Sequence, residues 1–238
     1  MEIIHKDNPA VAAGLVMSKL LEQYKNAPVL LLVSGGSAFS LLENISASVL
    51  DARITLGVLD ERYDSDSSIN NFAQLSLTHF FKQAVAAGAL YIDTRVASGE
   101  TLQNLGLRFN YTLNKWLENN PTGKVLITLG LGQDGHTAGL MPGYVEEVSW
   151  SGVLAMGYEV TPETNPYTRR VTVTPRFLKG EVTAAVAYVA GDDKTQVLAG
   201  VLAAEGEIET CPALLWHSIP RLTILTDCYE SNNSPLPA

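Results

Sequence analysis

Residues 29–37, Val-Leu-Leu-Leu-Val-Ser-Gly-Gly-Ser, run from five consecutive apolar residues straight into a polar turn. An unbroken apolar run of this length is typical of a β-strand that is covered on both faces, as in a parallel sheet. Apolar strands, turns and stretches with helical spacing then alternate along the rest of the chain. This alternation predicts an α/β fold, with a mostly parallel sheet flanked by helices on both faces.

Seven segments have the composition of strands. They are residues 29–33, 54–59, 124–131, 153–156, 171–173, 183–190 and 222–225. Apolar residues at helical spacing predict helices over 9–24, 71–87, 100–117 and 192–204. Because no repeat or linker interrupts this pattern, we expect a single α/β domain over residues 1–238.

The chain has 238 residues, 46% hydrophobic and 17% charged, with a formal net charge of −9. This composition allows a full hydrophobic core, and the acidic balance disfavours nucleic acid and anionic membranes as partners. The start of the chain has no signal-peptide pattern, and no stretch approaches the roughly 20 apolar residues of a membrane span. We therefore expect a cytoplasmic protein, a monomer or homodimer, whose partner is a small molecule.

Metal chemistry is not indicated by the sequence. The two cysteines, Cys211 and Cys228, have no zinc-binding spacing. The histidines are scattered, with no paired ligand spacing. We expect neither a metal nor a cofactor.

The turn at residues 34–37 is the first candidate site. Gly35 and Gly36 allow the backbone to approach a ligand closely, and the helix that follows offers free N–H groups to a phosphate. The alternative is a tight strand-to-helix turn capped by Ser37. The motif alone leaves both open.

The second candidate site is the charged triplet Asp60, Glu61 and Arg62, which follows the apolar run 57–59. Charges in this position need partners if they are buried. The alternative is the start of a solvated loop. Residues 64–70 that follow are polar and serine-rich, which is typical of a mobile loop that closes over a ligand.

The third candidate site lies in the glycine-rich segment 127–139, where His136 stands two residues after Asp134. A histidine at a strand end is well placed to act as a base, and the carboxylate can orient its ring. The alternative is a histidine that only hydrogen-bonds its own loop. Backbone N–H groups around Gly135 are candidates for stabilising an oxyanion.

The same segment contains the spacing G-x-G-x-x-G at Gly130, Gly132 and Gly135, which is typical of dinucleotide binding. That motif requires a long helix next, but Pro142 and Gly143 interrupt the chain within two turns. The motif also lies in the middle of the chain rather than in the first βαβ unit. A dinucleotide cofactor is therefore not expected.

Two later segments supply positive charge. Arg169 and Arg170 open the strand 171–173, and Lys194 lies where strand 183–190 passes into a helix. A guanidinium and an ammonium group at strand ends suit a phosphate monoester. The alternative for each is an ordinary surface charge.

Taken in order and spacing, these motifs resemble one family, the 6-phosphogluconolactonases and the related glucosamine-6-phosphate deaminases. The resemblance extends from about Val29 to Leu225. Its segments are 34–37, 60–62, 71–75, 130–139 with 141–143, 169–174 and the stretch around Lys194. It implies a Rossmann-like, NagB/RpiA-type fold and hydrolysis of 6-phospho-D-glucono-1,5-lactone to 6-phosphogluconate.

The resemblance also implies roles for particular residues. His136 is the base that activates water, and Asp134 supports it. The implied substrate and phosphate contacts are Ser34, Gly35, Gly36, Ser37, Asp60, Arg62, Arg170 and Lys194. Whether Arg169 or Arg170 is the phosphate ligand stays open at this point.

The chain departs from the family pattern on the sugar side of the implied pocket. Tyr63 stands where a tryptophan is usual, and residues 64–68 replace a proline-rich loop. Residues 139–143, Gly-Leu-Met-Pro-Gly, replace the usual Ser-Leu-Phe-Pro-Gly. These differences concern substrate detail more than reaction type.

Two other functions fit the same architecture. In an amino-sugar-phosphate deaminase or isomerase, Asp60 would abstract the proton next to the carbonyl. Arg62 stands where that subfamily has tyrosine, and no glutamate follows His136 before Pro142, so this function is disfavoured. A sugar-phosphate-sensing regulator is also disfavoured, because only some thirty residues precede the first glycine turn and the charge is acidic.

Overall fold

The computed structural model describes residues 1–149 and 152–228. Its strands are β1 Glu2–His5, β2 Val29–Val33, β3 Ile54–Val58, β4 Asp60–Arg62, β5 Leu90–Tyr91, β6 Lys124–Leu129, β7 Ala155–Glu159, β8 Arg169–Val173, β9 Ala184–Val189 and β10 Leu222–Thr226. Its α-helices are α1 Pro9–Gln23, α2 Asn71–Leu77, α3 His79–Ala86, α4 Leu102–Asn119, α5 Val145–Ser149, α6 Pro175–Gly180 and α7 Thr195–Leu202. Segments of 3₁₀ helix are Gly36–Asn44, Ala47–Val49, Asp192–Lys194 and Pro212–Ser218.

The main sheet contains seven strands of the described chain in the order β1-β10-β9-β6-β2-β3-β5. Every pairing in this sheet is parallel. Helices cover both faces, which confirms the predicted α/β fold. Among the described residues, no helix combines the length and the apolarity needed to cross a membrane.

The central strand β2 is apolar throughout because it contributes to two cores. Leu30 and Leu32 pack in the cluster on the α4 face of the sheet. Val29, Leu31 and Val33 pack in the cluster on the α1 face, and all five residues are fully buried. Each such side chain contributes roughly 1.5–3 kcal/mol through burial. Side chains on opposite faces explain why the run has no polar alternation.

The strand order reverses between β2 and β6. From β2 the chain continues to β3 and β5 on one side, and then crosses to β6 and β9 on the other. In open parallel sheets, the crevice at such a reversal lies beyond the carboxyl ends of the strands and is the usual ligand site. The loops after β2, β6 and β9 therefore meet at one edge of the sheet.

A second, antiparallel sheet has the order β4-β8-β7. The predicted strands 153–156 and 171–173 overlap its β7 and β8, so they are not part of the parallel sheet. The charged triplet is itself β4, with Asp60 and Glu61 buried. The solvated-loop alternative for this triplet is therefore wrong, because both carboxylates have partners.

The observed elements differ from the prediction at one helix break and in the short elements α5, α6, β1, β4 and β5, which were not predicted. The predicted helix 71–87 is two helices, α2 and α3, separated at Thr78. The Thr78 hydroxyl accepts from Phe81 N at 3.1 Å and thus caps α3, while it donates to Leu75 O at 2.8 Å. Strands β1 and β5 were not predicted, because two to four residues at a sheet edge carry little pattern.

Glu61 connects the small sheet to helix α2. Its carboxylate accepts from Asn71 N at 2.5 Å and from Phe72 N at 2.9 Å. These N–H groups lie at the positive end of α2, where a carboxylate is favourable. The carboxylate also accepts from the Thr94 hydroxyl at 2.8 Å and from Arg62 N at 2.8 Å.

Burial raises the pKa of Glu61 to about 7, although these hydrogen bonds lower it. The folded chain thus holds this proton to about pH 7, whereas an ordinary glutamate releases it near 4.5. Between these values the unfolded state binds fewer protons, so stability falls as pH rises. A shift of this size corresponds to a stability change on the order of 3 kcal/mol.

We expect Glu61→Gln to remove this pH dependence. The variant is less stable at every pH, because an amide NH₂ then faces N–H donors, but its deficit is larger near pH 5 than near pH 7. Urea unfolding at both pH values measures this difference. Glu205→Gln, at an exposed position, is the control. A deficit that is the same at both pH values would contradict the assignment.

Candidate active site

A cleft of about 250 Å³ lies at the carboxyl ends of β2, β6 and β9, beside the small sheet. All of the residues predicted for the site line this cleft except Asp134. They are Ser34, Gly35, Gly36, Ser37, Asp60, Arg62, His136, Arg170 and Lys194. Segments as far apart as the first glycine turn and the 3₁₀ helix Asp192–Lys194 therefore meet at one opening.

His136 and Asp134 form a short pair at the edge of the cleft. His136 Nδ1 lies 2.6 Å from Asp134 Oδ1, and the same oxygen accepts from His136 N at 3.1 Å. The ring is 34% exposed, so it is accessible from the cleft. Burial raises the pKa of Asp134, but the His136 ring and backbone N–H groups lower it more, and it lies below its ordinary value. An ionised Asp134 accepts a hydrogen bond from an Nδ1–H group, and in that tautomer the Nε2 lone pair is available.

The turn is shaped around this ring. A Cβ at Gly132 would lie 2.0 Å from His136 Nδ1, so only glycine fits beneath the imidazole. The Thr137 hydroxyl donates to Gly130 O at 2.8 Å and accepts from Trp216 Nε1 at 3.1 Å. These contacts hold the two ends of the turn together. With Gly132 packed against it, the His136 ring is fixed in position.

Four backbone N–H groups of this turn have partners within the turn. Gly132 N donates to His136 O at 2.8 Å, and Gly135 N donates to Gly132 O at 3.1 Å. His136 N is bound to Asp134, and Thr137 N is directed at Leu140 O, at 3.4 Å. The stabilisation of an oxyanion by other N–H groups around Gly135 stays a prediction.

The small sheet holds the far end of the same turn. Tyr158 donates to Gly139 O at 2.5 Å, and Thr172 donates to Ala138 O. Ala138 and Gly139 both have positive φ, at 49° and 71°. A Cβ at Gly139 would lie 2.4 Å from Asp60 Cβ, so the glycine lets the turn pack directly against β4.

The 34–37 loop begins with a hydrogen-bonded serine. The Ser34 hydroxyl donates to Thr128 O at 2.9 Å, and Ser34 N donates to Thr128 Oγ1 at 2.9 Å. Gly36 has a φ of +66°, and the 3₁₀ helix Gly36–Asn44 follows. Gly35 rather than Ser37 occupies the N-cap, with no side-chain cap, so the predicted Ser37 cap is wrong. The first N–H groups of this helix are open to a ligand.

Two arginines lie opposite each other on the small sheet. Arg62 of β4 pairs directly with Arg170 of β8, and both line the cleft. Arg170 Nη2 donates to Asp60 Oδ2 at 2.7 Å, and this pair is buried. The Nε atoms of both arginines are buried without a hydrogen-bond partner in the described chain. Two like charges that lie directly opposite each other on neighbouring strands are unfavourable unless an anion binds to them.

The two remaining cationic side chains, Lys194 and Arg169, point to different parts of the molecule. Lys194 lines the cleft and lies 3.7 Å from Asp193 Oδ2, with its side chain 19% exposed. Arg169 stacks its guanidinium on the Tyr63 ring, at 4.9 Å, and does not line the cleft. Of the two adjacent arginines, Arg170 is therefore the one that faces the site.

Asn71 also lines the cleft, and no role was predicted for it. Its Nδ2 donates to Asp60 O at 3.0 Å, while its buried Oδ1 has no partner among the described residues. A Cβ at Gly35 would lie 2.5 Å from this Oδ1, which explains the glycine. The sequence signal was the position of Asn71 at a helix start. Within the described chain, no three acidic, histidine or cysteine side chains cluster as metal ligands.

Comparison with known proteins identifies relatives over most of the chain. The family described as glucosamine-6-phosphate isomerases/6-phosphogluconolactonase matches residues 7–223. The chain is 25% identical over 191 residues to a 6-phosphogluconolactonase of Borreliella burgdorferi, covering 80% of this chain and 72% of that protein. It is 35% identical over 136 residues to a 6-phosphogluconolactonase of Pseudomonas aeruginosa, covering 56% and 53%.

Solved structures share the fold. A 6-phosphogluconolactonase from Plasmodium vivax has a TM-score of 0.77 at 15% identity, covering 96% of this chain and 91% of that one. A monomeric glucosamine-6-phosphate deaminase has a TM-score of 0.74 at 16% identity, covering 95% and 97%. The fold is thus common to both activities. The match over residues 7–223 shows that the chain belongs to the glucosamine-6-phosphate isomerase/6-phosphogluconolactonase family.

Proposed function

We propose that this chain hydrolyses 6-phospho-D-glucono-1,5-lactone to 6-phosphogluconate, in the cytoplasm, as a step of the oxidative pentose phosphate pathway. His136 acts as general base, and no metal or cofactor takes part. The observation that carries the proposal is the position of His136 across one cleft from Arg170 and Lys194. A base and a phosphate site in one cleft are what a phosphorylated lactone requires.

The His136–Asp134 pair supports the assignment of the base. With its Nδ1 proton bound by Asp134 at 2.6 Å, the ring presents Nε2 to a water in the cleft. Attack of this water on the lactone carbonyl transfers one proton to Nε2 and gives a tetrahedral intermediate. Collapse of the intermediate breaks the ring C–O bond, and the proton passes to the leaving hydroxyl. General base assistance of this kind contributes roughly 10²–10⁴-fold in rate.

The phosphate is held by groups on three separate segments. Arg170 and Lys194 supply fixed positive charge, and the open N–H groups after Gly36 supply donors. Arg62 lies beside Arg170 in register and is available to the same anion. Ser34 binds Thr128 with both its N–H and its hydroxyl, so its part is to fix the loop that presents these donors.

The neighbourhood of Asp60 favours a lactonase over a deaminase. An isomerase or deaminase uses this carboxylate to abstract a proton, but here Asp60 is buried and bound to Arg170 at 2.7 Å. A carboxylate oxygen that is already bound to a guanidinium is not free to approach a substrate carbon. Positive potential from the cleft cations is available to stabilise the oxyanion, alongside any N–H group of the turn that faces the cleft.

We expect the chain to accelerate acid release from fresh 6-phosphogluconolactone, and His136→Ala to lower kcat by about 10²-fold or more. Continuous titration, corrected for spontaneous hydrolysis, measures both rates. His79→Ala removes an exposed histidine from α3 and is the control. Comparable rates for wild type and His136→Ala would refute the base assignment. Ammonia release from glucosamine 6-phosphate, without lactone turnover, would favour the deaminase.

We expect Gly132→Ala to displace the imidazole, because the added carbon would lie 2.0 Å from Nδ1. The bond to Asp134 is then lost, and kcat falls while the KM for the lactone changes little. NMR of the ring nitrogens reports the tautomer directly. Gly130→Ala, where an added carbon meets nothing within 4 Å, is expected to leave the ring signals unchanged. Unaltered signals in Gly132→Ala would argue against this steric fit.

We expect Lys194→Met to raise the KM for 6-phosphogluconolactone about tenfold or more, since a charge-assisted hydrogen bond contributes roughly 1.5–3 kcal/mol. Hydrolysis of unphosphorylated gluconolactone is expected to be unaffected. Steady-state kinetics on both lactones measures the difference, with the exposed Lys179→Met as control. An equal loss on the two substrates would mean that Lys194 does not bind phosphate.

A further inference from the structure

A second cavity of about 190 Å³ adjoins the cleft. It lies between the polar loop 64–70 and the connection between β7 and β8, residues 160–168. Arg62 belongs to the walls of both cavities, whereas Arg169 lines only the second. We call this second cavity the outer pocket. The wall is formed partly by Tyr63 and Asp64, in the segment where the chain departs from its family.

The outer pocket contains two guanidinium groups that are oriented by aromatic rings. Arg62 Cζ lies 4.1 Å from the centre of the Tyr167 ring, and Arg169 Cζ lies 4.9 Å from the centre of the Tyr63 ring. Stacking covers one face of each guanidinium and leaves its N–H groups pointing outward in the ring plane. These edges are the part of arginine that binds oxyanions in a bidentate manner.

Neither arginine is neutralised by the protein. In the described ranges, Arg62 and Arg169 form no ion pair with a carboxylate. The acidic residue in the wall, Asp64, directs Oδ1 to Asp66 N at 2.8 Å and so caps its own turn. Arg62 Nε is buried and has no hydrogen-bond acceptor within the described chain. The wall therefore carries two guanidinium groups against the single carboxylate of Asp64, together with an unsatisfied donor, in a chain whose net charge is −9. Glu159 lies opposite Arg169 in the β7–β8 ladder but forms no ion pair with it among the described residues.

The aromatic wall is itself held in place. The Tyr63 hydroxyl donates to Glu100 O, and Tyr63 N donates to Arg169 O at 3.0 Å. The Tyr63–Arg169 pair thus continues the β4–β8 ladder, and Arg62 of the other pair is itself the last residue of β4. A site that is oriented before binding loses less conformational freedom when a ligand arrives.

We propose that the outer pocket is a second phosphate-binding site, distinct from the sugar-phosphate site of the cleft. Its ligand is a phosphate group, either free or carried on a small ester, held by the guanidinium edges of Arg62 and Arg169. Because Arg62 lines both cavities, a phosphate in the outer pocket draws this side chain from the cleft. Occupation of one site then weakens binding at the other, and this coupling is reciprocal.

The test counts phosphate sites by equilibrium dialysis of the full chain with radiolabelled inorganic phosphate. We expect two sites per wild-type chain, one site in Arg169→Met and one in Lys194→Met. Arg221→Met, which removes the same charge from an exposed position just before β10, is expected to keep two. Arg169 is exposed, so its loss leaves the fold intact, and thermal unfolding of Arg169→Met and Arg169→Gln checks this.

Glucose 6-phosphate in place of inorganic phosphate distinguishes the two ligand sources. Tighter binding of the ester to the Arg169-dependent site identifies a phosphate ester as the ligand, and equal or weaker binding identifies free phosphate. A single wild-type site that disappears in Lys194→Met and persists in Arg169→Met would overturn the proposal. The stoichiometry is independent of turnover, so failure of the lactonase assay would leave this measurement interpretable.

Discussion

The hydrogen bonds between Ser34 and Thr128 join the ends of β2 and β6 where the order of the parallel sheet reverses. Each residue uses its hydroxyl and one backbone group, at 2.9 Å in both directions, and both are buried. These two hydrogen bonds set the separation of the two loops that follow. One loop is rich in open N–H groups, and the other carries His136. The crevice of a parallel sheet is a general feature, but its width here follows from a particular pair of side chains.

The small sheet contributes charged side chains to this crevice. Its buried carboxylates determine how it packs against the rest of the chain. Glu61 binds the start of α2, and Asp60 binds Arg170 within the same sheet. Removing one partner from a buried ion pair typically costs about 3–5 kcal/mol, because the other charge is left without compensation. The three-residue strand β4 is too short to be held by its ladder alone. Its carboxylates therefore fix it between α2 and β8, beside the turn that carries His136.

The parallel sheet was predictable because its evidence is local. Each central strand is a short apolar run, and β2 shows both cores in five residues. The antiparallel sheet was not predictable as a separate unit, since its strands have no distinctive pattern. The burial of Asp60 depends on Arg170, which lies 110 residues further along the chain. No local pattern in the triplet distinguishes a buried strand from a solvated loop.

The candidate site likewise has a part that the sequence predicts locally and a part that depends on tertiary contacts. The glycine turns and His136 with Asp134 are neighbours in sequence, so their chemistry was visible in one segment. Which arginine faces the cleft follows from strand register, and the pairing of Arg62 with Arg170 fixes it. Asn71 and Trp216 acquire their roles only from tertiary contacts, with Gly35 and with Thr137. The partners of the N–H groups of Gly132, Gly135 and His136 likewise depend on backbone geometry that residue types do not specify.

This division has a consequence for the proposed chemistry. The proposed base and its carboxylate belong to one five-residue turn, 132–136, whose geometry is held by contacts within the turn and by the bond from Ala213 N to Gly135 O. The proposed phosphate-binding groups come from β8, the 3₁₀ helix Asp192–Lys194 and the loop after β2, and they meet only when the two sheets pack correctly. Small movements between the sheets therefore change phosphate recognition more than they change the base. Arg62 lies where the cleft and the outer pocket meet, so we expect such movement to displace it most. Specificity in this chain therefore depends on packing between the sheets, whereas reactivity depends on a single turn.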